Sequence, residues 1–316
     1  MHPFISGITD NAARLFLLIS LLFIVINIIF DATSMETIRN KTMNLHVKAA
    51  DKPPRAKVYA ITSGKGGVGK TFISVNLSIA LSQAGIRVLL IDSDTGLANV
   101  DLMMGVSTTH TIEDVIYGNL SIFDALVEGP LGLTILPAAS GVGRIEEMAE
   151  KGIHFEKELL KLEKAFDMIF IDTGAGISAN VVDFIFMAEE VIVVMTPEPT
   201  AFADAYAVIK IVTLGKSRMQ IGVIVNTVQS GKEAETLFGK FNDIVKRFLG
   251  KEIMYRGYIL QDRTVAEAVM RQIPLALYAR KSPSMQSIKR VARDLLGIKI
   301  TPKTRAFSAD RISEIL

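Results

Sequence analysis

The amino-acid sequence predicts an α/β fold, a doubly wound and mainly parallel twisted sheet of seven or eight strands with helices on both faces. Apolar runs and glycine-containing turns alternate in one βα rhythm from about Lys57 to Leu296, and strands joined through helices align in parallel. A short apolar strand near the start of this region leads through a glycine-rich loop into a helical pattern. Two further apolar strands end in carboxylates, which a parallel sheet gathers at one edge.

The composition excludes several kinds of site. The chain has 316 residues, 49% of them hydrophobic, which is ample for a buried core. Its formal net charge of +2 does not indicate a nucleic-acid partner, and we expect no direct contact with nucleic acid. The chain has no cysteine. Disulfides, thiolate zinc sites and thiolate-held iron–sulfur clusters are therefore excluded, because all three need sulfur ligands.

Composition divides the chain into four segments. Residues 1–34 form an apolar N-terminal segment, residues 35–56 a polar linker, residues 57–298 the α/β domain and residues 299–316 a C-terminal tail.

The apolar stretch at 15–30 has two interpretations. It has sixteen residues, and as a helix it would cross about 24 Å of a hydrocarbon layer about 30 Å thick, which is borderline for a membrane anchor. More Lys and Arg residues follow the stretch than precede it, which would leave the domain in the cytoplasm. The alternative is a start-site artefact, in which translation begins at Met35 or Met43 and the stretch is never made.

The strongest motif is a phosphate-binding loop. The strand at 57–62 precedes SGKGGVGKT, and the helical pattern FISVNLSIALSQAG follows it. Glycines let the backbone aim N–H groups at phosphate oxygens, and the helix N-terminus adds partial positive charge. Lys70 can reach the outer phosphates, and Thr71 can ligate Mg²⁺. The predicted nucleotide-binding residues of the loop are Gly64, Lys65, Gly66, Gly67, Val68, Gly69, Lys70, Thr71 and Phe72.

Acidic residues follow two of the predicted strands. Asp92 and Asp94 come after the strand at 87–91, and Asp172 comes after the strand at 168–171. Carboxylates at these positions face the nucleotide crevice of a parallel sheet, and Asp172 can bind a water molecule that is a ligand of Mg²⁺. Two alternatives remain open. Asp92 would only cap its turn, or Asp172 would be the N-cap of a helix from about Ser178.

Together these motifs resemble the MinD/ParA class of ATPases, which have a deviant Walker A loop, and within it the flagellar-number regulators called FlhG or FleN. The loop form KGGVGKT carries the resemblance to the class. The stretches IDSDTGLANVDLMMG, EGPLGLTILPAASG and TPEPTAFADAY carry the resemblance to FlhG. It covers about residues 58–296, with mild departures at Ser93 and Thr95.

The resemblance implies roles for single residues. Lys65 would cross a dimer interface and stabilise the phosphoryl group that leaves the partner's nucleotide. Asp94 would orient the attacking water. The implied catalytic set is Lys65, Lys70, Asp94 and Asp172, and the implied magnesium set is Thr71, Asp94 and Asp172.

Two later residues would flank adenine by the same resemblance. Asn226 follows a strand at 221–225, and Asp262 ends GYILQD, which matches the family's G-x-I-P-x-D loop except for Leu260 in place of proline. For both residues the alternative is a loop cap or turn former.

The implied function is an ATP-dependent dimerisation switch that uses Mg²⁺, hydrolyses ATP slowly without an activating partner, and regulates flagellar number and placement. Implied partners are a second copy, the signal-recognition-type GTPase FlhF and flagellar switch or regulator proteins. The implied location is the inner face of the cytoplasmic membrane near the cell pole.

Residues 10–15 resemble a degenerate form of the DQAxxLR motif by which FlhG proteins stimulate FlhF. In the tail, a short amphipathic helix for a membrane surface competes with an ordinary terminal helix; its apolar residues are Phe307, Ile312, Ile315 and Leu316.

Other functions would need features beyond the ATP site. A ParA-type protein for chromosome segregation would need a basic DNA-binding patch, and a MinD-type protein for division-site placement would need a strong membrane-binding tail. A P-loop kinase would need an acceptor site. A scaffold that does not hydrolyse ATP is disfavoured, because the whole implied catalytic set is present.

Overall fold

A computed structural model of the chain describes residues 55–94, 99–117, 120–138 and 148–298. The predictions for the apolar stretch at 15–30, the motif at 10–15, most of the linker and the tail lie outside these residues. Within the described part of the chain, no helix has the length and apolar character needed to cross a membrane.

The described residues form one eight-stranded sheet in the order β3-β4-β2-β5-β1-β6-β7-β8. Its strands are β1 (Lys57–Ser63), β2 (Val88–Ser93), β3 (Val127–Glu128), β4 (Thr134–Leu136), β5 (Met168–Ala175), β6 (Glu190–Met195), β7 (Gln220–Val228) and β8 (Met254–Leu260). All neighbouring strands pair in parallel except β3 and β4. The predicted mainly parallel sheet is thereby confirmed.

Helices pack on both faces of the sheet. They are α1 (Lys70–Gln83), α2 (Val100–Met104), α3 (Ile112–Ile116), α4 (Met148–Leu162), α5 (Ala179–Met187), α6 (Pro199–Gly215), α7 (Gly231–Leu249), α8 (Arg263–Met270), α9 (Leu275–Tyr278) and α10 (Pro283–Leu295). Local signals set several of their ends. Ser230 caps α7 by accepting the N–H of Glu233, and Gly250 ends that helix in the left-handed conformation.

Two hydrophobic clusters form the core, one on each face of the sheet. One cluster contains side chains of α5, α6 and α7 such as Phe184, Tyr206 and Phe241. The other contains side chains of α1 and α10 such as Leu77 and Ile288. The central strands are buried on both faces, which explains their nearly continuous apolar sequences.

The sheet order places the site. β1 lies between β5 and β6, so the loop that follows it starts from the centre of the sheet. Asp92 of β2 is the register partner of Asp172 of β5. The carboxyl ends of these strands therefore meet beside the loop.

Candidate nucleotide site

The glycine-rich loop runs from β1 to α1 in a conformation that needs its glycines. Gly67 and Gly69 have φ of 79° and 88°, values that L-residues with side chains rarely adopt. A Cβ at Gly64 would overlap the backbone of Asp204, and a Cβ at Gly69 would overlap the Asn226 side chain. The loop is therefore fixed by its own backbone and by close neighbours.

Lys70 and Asp172 form a buried ion pair behind the loop. Lys70 Nζ lies 3.2 Å from Asp172 Oδ1, and Ser74 Oγ donates to the same oxygen at 2.8 Å. The side chains of Lys70 and Asp172 are 7% and 1% exposed. Asp172 Oδ2 is buried, and no described residue gives it a hydrogen bond. Oδ2 of Asp172 is thus an acceptor without a hydrogen-bond donor among the described residues.

The N-cap alternative for Asp172 is wrong. Asp172 lies inside β5, and the N-cap of α5 is Ser178.

Asp92 organises the segment that follows β2. Its carboxylate accepts the backbone N–H groups of Asp94 at 3.0 Å, Asn99 at 3.2 Å and Val100 at 3.1 Å. Burial, and next the charge of Asp172, raise the pKa of Asp92 to about 7. The geometry thus supports the turn-capping alternative for Asp92, because its oxygens are occupied by backbone groups.

A cavity of about 730 Å³ lies beside the loop, and most of the predicted nucleotide-site residues line it. The predicted residues that line it are Gly66, Gly67, Val68, Gly69, Lys70, Thr71, Phe72, Asp94, Asn226 and Asp262. Its apolar side includes Leu260, Val265 and Met270. Gly64, Lys65 and Asp172 are not among the lining residues. Asp172 lies behind Lys70, with which it pairs.

Lys65 does not line this cavity and contacts another element instead. Its Nζ lies 2.6 Å from Glu198 Oε2 and 3.4 Å from Thr200 Oγ1, and its side chain is 37% exposed. Both partners lie at the start of α6. The early lysine of the loop is thus held by an exposed carboxylate of its own chain.

Asn226 and Asp262 both carry hydrogen bonds within the fold. Asn226 Nδ2 donates to Val68 O at 2.7 Å, which ties β7 to the loop. The next residue, Thr227, has φ of 57° and donates its N–H to Asn226 Oδ1. Asp262 caps α8 by accepting the N–H of Thr264 at 3.0 Å. Each residue therefore has the capping or turn-forming contacts of the alternative interpretation, and each also faces the cavity.

Comparisons with known proteins extend these observations. Residues 56–223 match the family model described as an AAA domain, AAA_31. The chain is 38% identical over 240 residues to the antiactivator FleN of Pseudomonas aeruginosa, covering 75% of this chain and 85% of FleN. The chain belongs to the MinD/ParA family of ATPases. It is also 34% identical over 245 residues to the flagellum site-determining protein YlxH of Helicobacter pylori, which covers 77% of this chain and 82% of YlxH.

Solved structures of the MinD/ParA family agree with this assignment. The MinD cell division protein of Aquifex aeolicus superposes with a TM-score of 0.65 at 29% identity, covering 78% of this chain and all of that chain. MinD of Pyrococcus horikoshii, solved in complex with Mg-ADP, superposes with a TM-score of 0.64 at 28% identity, covering 78% of this chain and 99% of that chain. The resemblance predicted from the motifs is confirmed.

Three polar residues near the site were not predicted from the motifs. Ser74 bonds to Asp172, Glu198 bonds to Lys65, and Asn76 Oδ1 accepts the N–H of Ala276 at 2.8 Å. A signal for two of them exists in the sequence, because Ser74 and Asn76 interrupt an otherwise apolar helical pattern. Glu198 gave no comparable signal, since a charged residue between two prolines is typical of an exposed loop.

Proposed function

We propose that this chain is a Mg-ATP-dependent dimerisation switch that hydrolyses ATP and controls the number and placement of flagella. The observation that carries the proposal is the different position of the two loop lysines relative to the cavity. Lys70 lines the cavity beside the loop, whereas Lys65 lies outside it on an exposed surface. A second copy that approaches this surface would give Lys65 a nucleotide to contact.

The residues around the cavity fit a magnesium nucleotide. The loop backbone, Lys70 and Thr71 line one side of it, and such groups bind phosphates. Leu260, Val265 and Met270 offer an apolar surface for the base. Bound Mg²⁺ would neutralise phosphate charge, and Thr71, Asp94 and Asp172 are the residues that would hold it, the last two through water. The unpaired buried Asp172 Oδ2 fits this part.

Three side chains would then act on the phosphates and the attacking water. Lys70 would exchange Asp172, which now lies 3.2 Å away, for the outer phosphates. Asp94 would orient the attacking water, and its carboxylate is close to Gly174, where a Cβ would come within 3.7 Å of Asp94 Oδ1. Lys65 would leave Glu198 and stabilise charge on the partner's nucleotide. We expect slow turnover until a partner protein completes or rigidifies this set.

The flagellar role rests on similarity to FleN and YlxH, one an antiactivator and the other a flagellum site-determining protein. As further partners we propose FlhF and flagellar switch or regulator proteins, and as location the inner face of the cytoplasmic membrane near the cell pole. MinD-type division-site placement is the alternative, because the septum site-determining protein MinD of Thermotoga maritima is 34% identical to this chain over 251 residues.

The test is the oligomeric state of the chain by light scattering, with ADP and with ATP. We expect a dimer with ATP only, and a longer-lived dimer in Asp94→Ala because hydrolysis no longer ends it. Lys70→Ala should abolish nucleotide binding. Lys65→Ala should bind nucleotide but hydrolyse ATP much more slowly. A wild-type chain that stays monomeric in every nucleotide would overturn the switch.

A further inference from the structure

Ser74 lies one helical turn after Lys70 on α1, where it contacts the carboxylate of Asp172. Its side chain is fully buried. Ser74 Oγ lies 2.8 Å from Asp172 Oδ1 and 3.0 Å from Lys70 O. A hydroxyl has one proton to donate, and a carboxylate is the stronger acceptor. The hydroxyl of Ser74 therefore donates its hydrogen bond to Asp172 Oδ1.

This hydrogen bond matters most when Lys70 leaves Asp172. Lys70 and Ser74 are the donors that the described residues supply to the Asp172 carboxylate, and both bond to Oδ1. Once Lys70 turns to a phosphate, Ser74 is the donor that stays. A buried carboxylate without any donor is strongly destabilised and would turn or take up a proton.

We propose that Ser74 is a positioning residue that holds Asp172 Oδ1 during the exchange of Lys70, so that Oδ2 stays available to a water molecule of bound Mg²⁺. The inference rests on the proposed function, since it concerns the same magnesium nucleotide. It predicts that the hydroxyl of Ser74 supports Mg²⁺ binding and not the binding of nucleotide as such.

Helix α1 contains a matched control. Ser78 lies one further turn along the helix and is equally buried. Its Oγ has no hydrogen-bond partner among the described residues. Ser78→Ala thus removes the same atom from the same helix without removing a contact to Asp172.

The experiment measures binding of a fluorescent ADP to the full chain as Mg²⁺ is titrated, and again in EDTA. In Ser74→Ala we expect the half-saturating Mg²⁺ concentration to rise about tenfold, the usual effect of one lost hydrogen bond to a charged group. Affinity in EDTA should stay within about twofold of the wild type. Ser78→Ala should match the wild type in both conditions.

Equal Mg²⁺ requirements in Ser74→Ala and Ser78→Ala would overturn the positioning role, and so would an equal loss of affinity with and without Mg²⁺. If Ser74→Ala does not fold, Ser74→Cys replaces it, because a thiol of similar size donates only weakly; an intermediate Mg²⁺ requirement is then expected and a wild-type one contradicts the proposal. Failure of the wild type to bind any nucleotide would instead reject the proposed function.

Discussion

Two buried carboxylates, Asp92 and Asp172, lie side by side at the carboxyl ends of β2 and β5. Both were predicted at strand ends, because a linear sequence reveals an acid that follows an apolar run. Their partners could not be predicted in the same way. Lys70 reaches Asp172 across 102 positions and Ser74 across 98, and only the folded sheet brings these positions together.

The buried acid Asp92 should make the stability of the ligand-free protein depend on pH. Its pKa is raised to about 7 in the folded chain, against about 3.9 for an unperturbed Asp. The folded state therefore binds this proton more tightly, so this contribution to stability is present at low pH and is lost as pH rises to about 7. Urea unfolding between about pH 5 and 8 should give a falling free energy of unfolding that levels above about 7.

The variant Asp92→Asn separates this effect from other titrations. It should flatten the fall between about pH 5 and 7, because the side-chain amide has no proton to lose in this range. A slope in the variant equal to that of the wild type would show that the pH dependence comes from other groups.

At the scale of elements, Asn76 joins α1 to α9. Its Nδ2 donates to Phe72 O at 2.8 Å, and its Oδ1 accepts the N–H of Ala276 at 2.8 Å. Asn76→Ala would leave the buried N–H of Ala276 without an acceptor, so the free energy of unfolding should fall by about 1–3 kcal/mol. Urea denaturation measures this loss, with Ser78→Ala as the control that removes no hydrogen bond. Similar losses in both variants would contradict a specific contact.

An ion pair crosses the sheet above a glycine. Arg256 of β8 donates from Nε and Nη2 to Glu190 of β6 at 2.7 and 2.6 Å, and Gly222 of β7 lies between the two strands. A Cβ at Gly222 would lie 2.6 Å from Arg256 Cγ and 2.7 Å from Glu190 Oε1. Gly222→Ala should therefore force this partly buried pair apart and lower the free energy of unfolding by up to about 3 kcal/mol, measured by urea denaturation.

A second glycine gives the control for that substitution. Gly239 lies inside α7, and a Cβ there meets no atom within 4 Å. Gly239→Ala should stabilise the protein by about 0.5–1 kcal/mol, because alanine loses less backbone freedom in a helix. An equal effect of the two alanines would mean that the ion pair adapts without cost.

The elements differ in how much of them the sequence predicted. Strand β1 was predicted at 57–62 and runs from Lys57 to Ser63, since its apolar run ends at the glycine-rich loop. Strand β8 was interpreted as part of a loop from Gly257 onward. It lies at the edge of the sheet, where most of its residues are only partly buried, so its sequence lacks the apolar pattern that marks an inner strand.

At the scale of the whole molecule, the alternating apolar runs predicted the sheet and the glycine-rich motif predicted the loop, whereas the position of the Lys65 side chain had to come from the structure. The sequence placed Lys65 in the loop, but its contact with Glu198 joins residues 133 positions apart. That contact keeps Lys65 outside the cavity of its own chain. This position supports the proposal that Lys65 contacts the nucleotide of a second copy.

The core also predicts which part of the chain folds alone. Ala56 is buried and its N–H bonds to Glu163 O, and Leu295 of α10 is buried in the cluster that contains α1. Both hydrophobic clusters are closed by residues between these positions. We therefore expect residues 55–298 alone to unfold cooperatively and to bind ADP with the affinity of the full chain. The melting temperature should change by no more than about 4 °C, which corresponds to about 1 kcal/mol at this size.

The test compares three chains by calorimetry and ADP titration: the full chain, a chain without residues 1–54 and a chain without residues 299–316. A larger change in melting temperature or ADP affinity would then be assigned to one end. A drop in melting temperature with unchanged ADP affinity would mean that the removed end packs on the domain away from the cavity. A drop in ADP affinity would mean that the removed end contributes to the nucleotide site, and the 57–298 boundary would then be too narrow. Equal behaviour of all chains is the expected result, because the loop, the strand-end acids and both clusters lie within the retained residues.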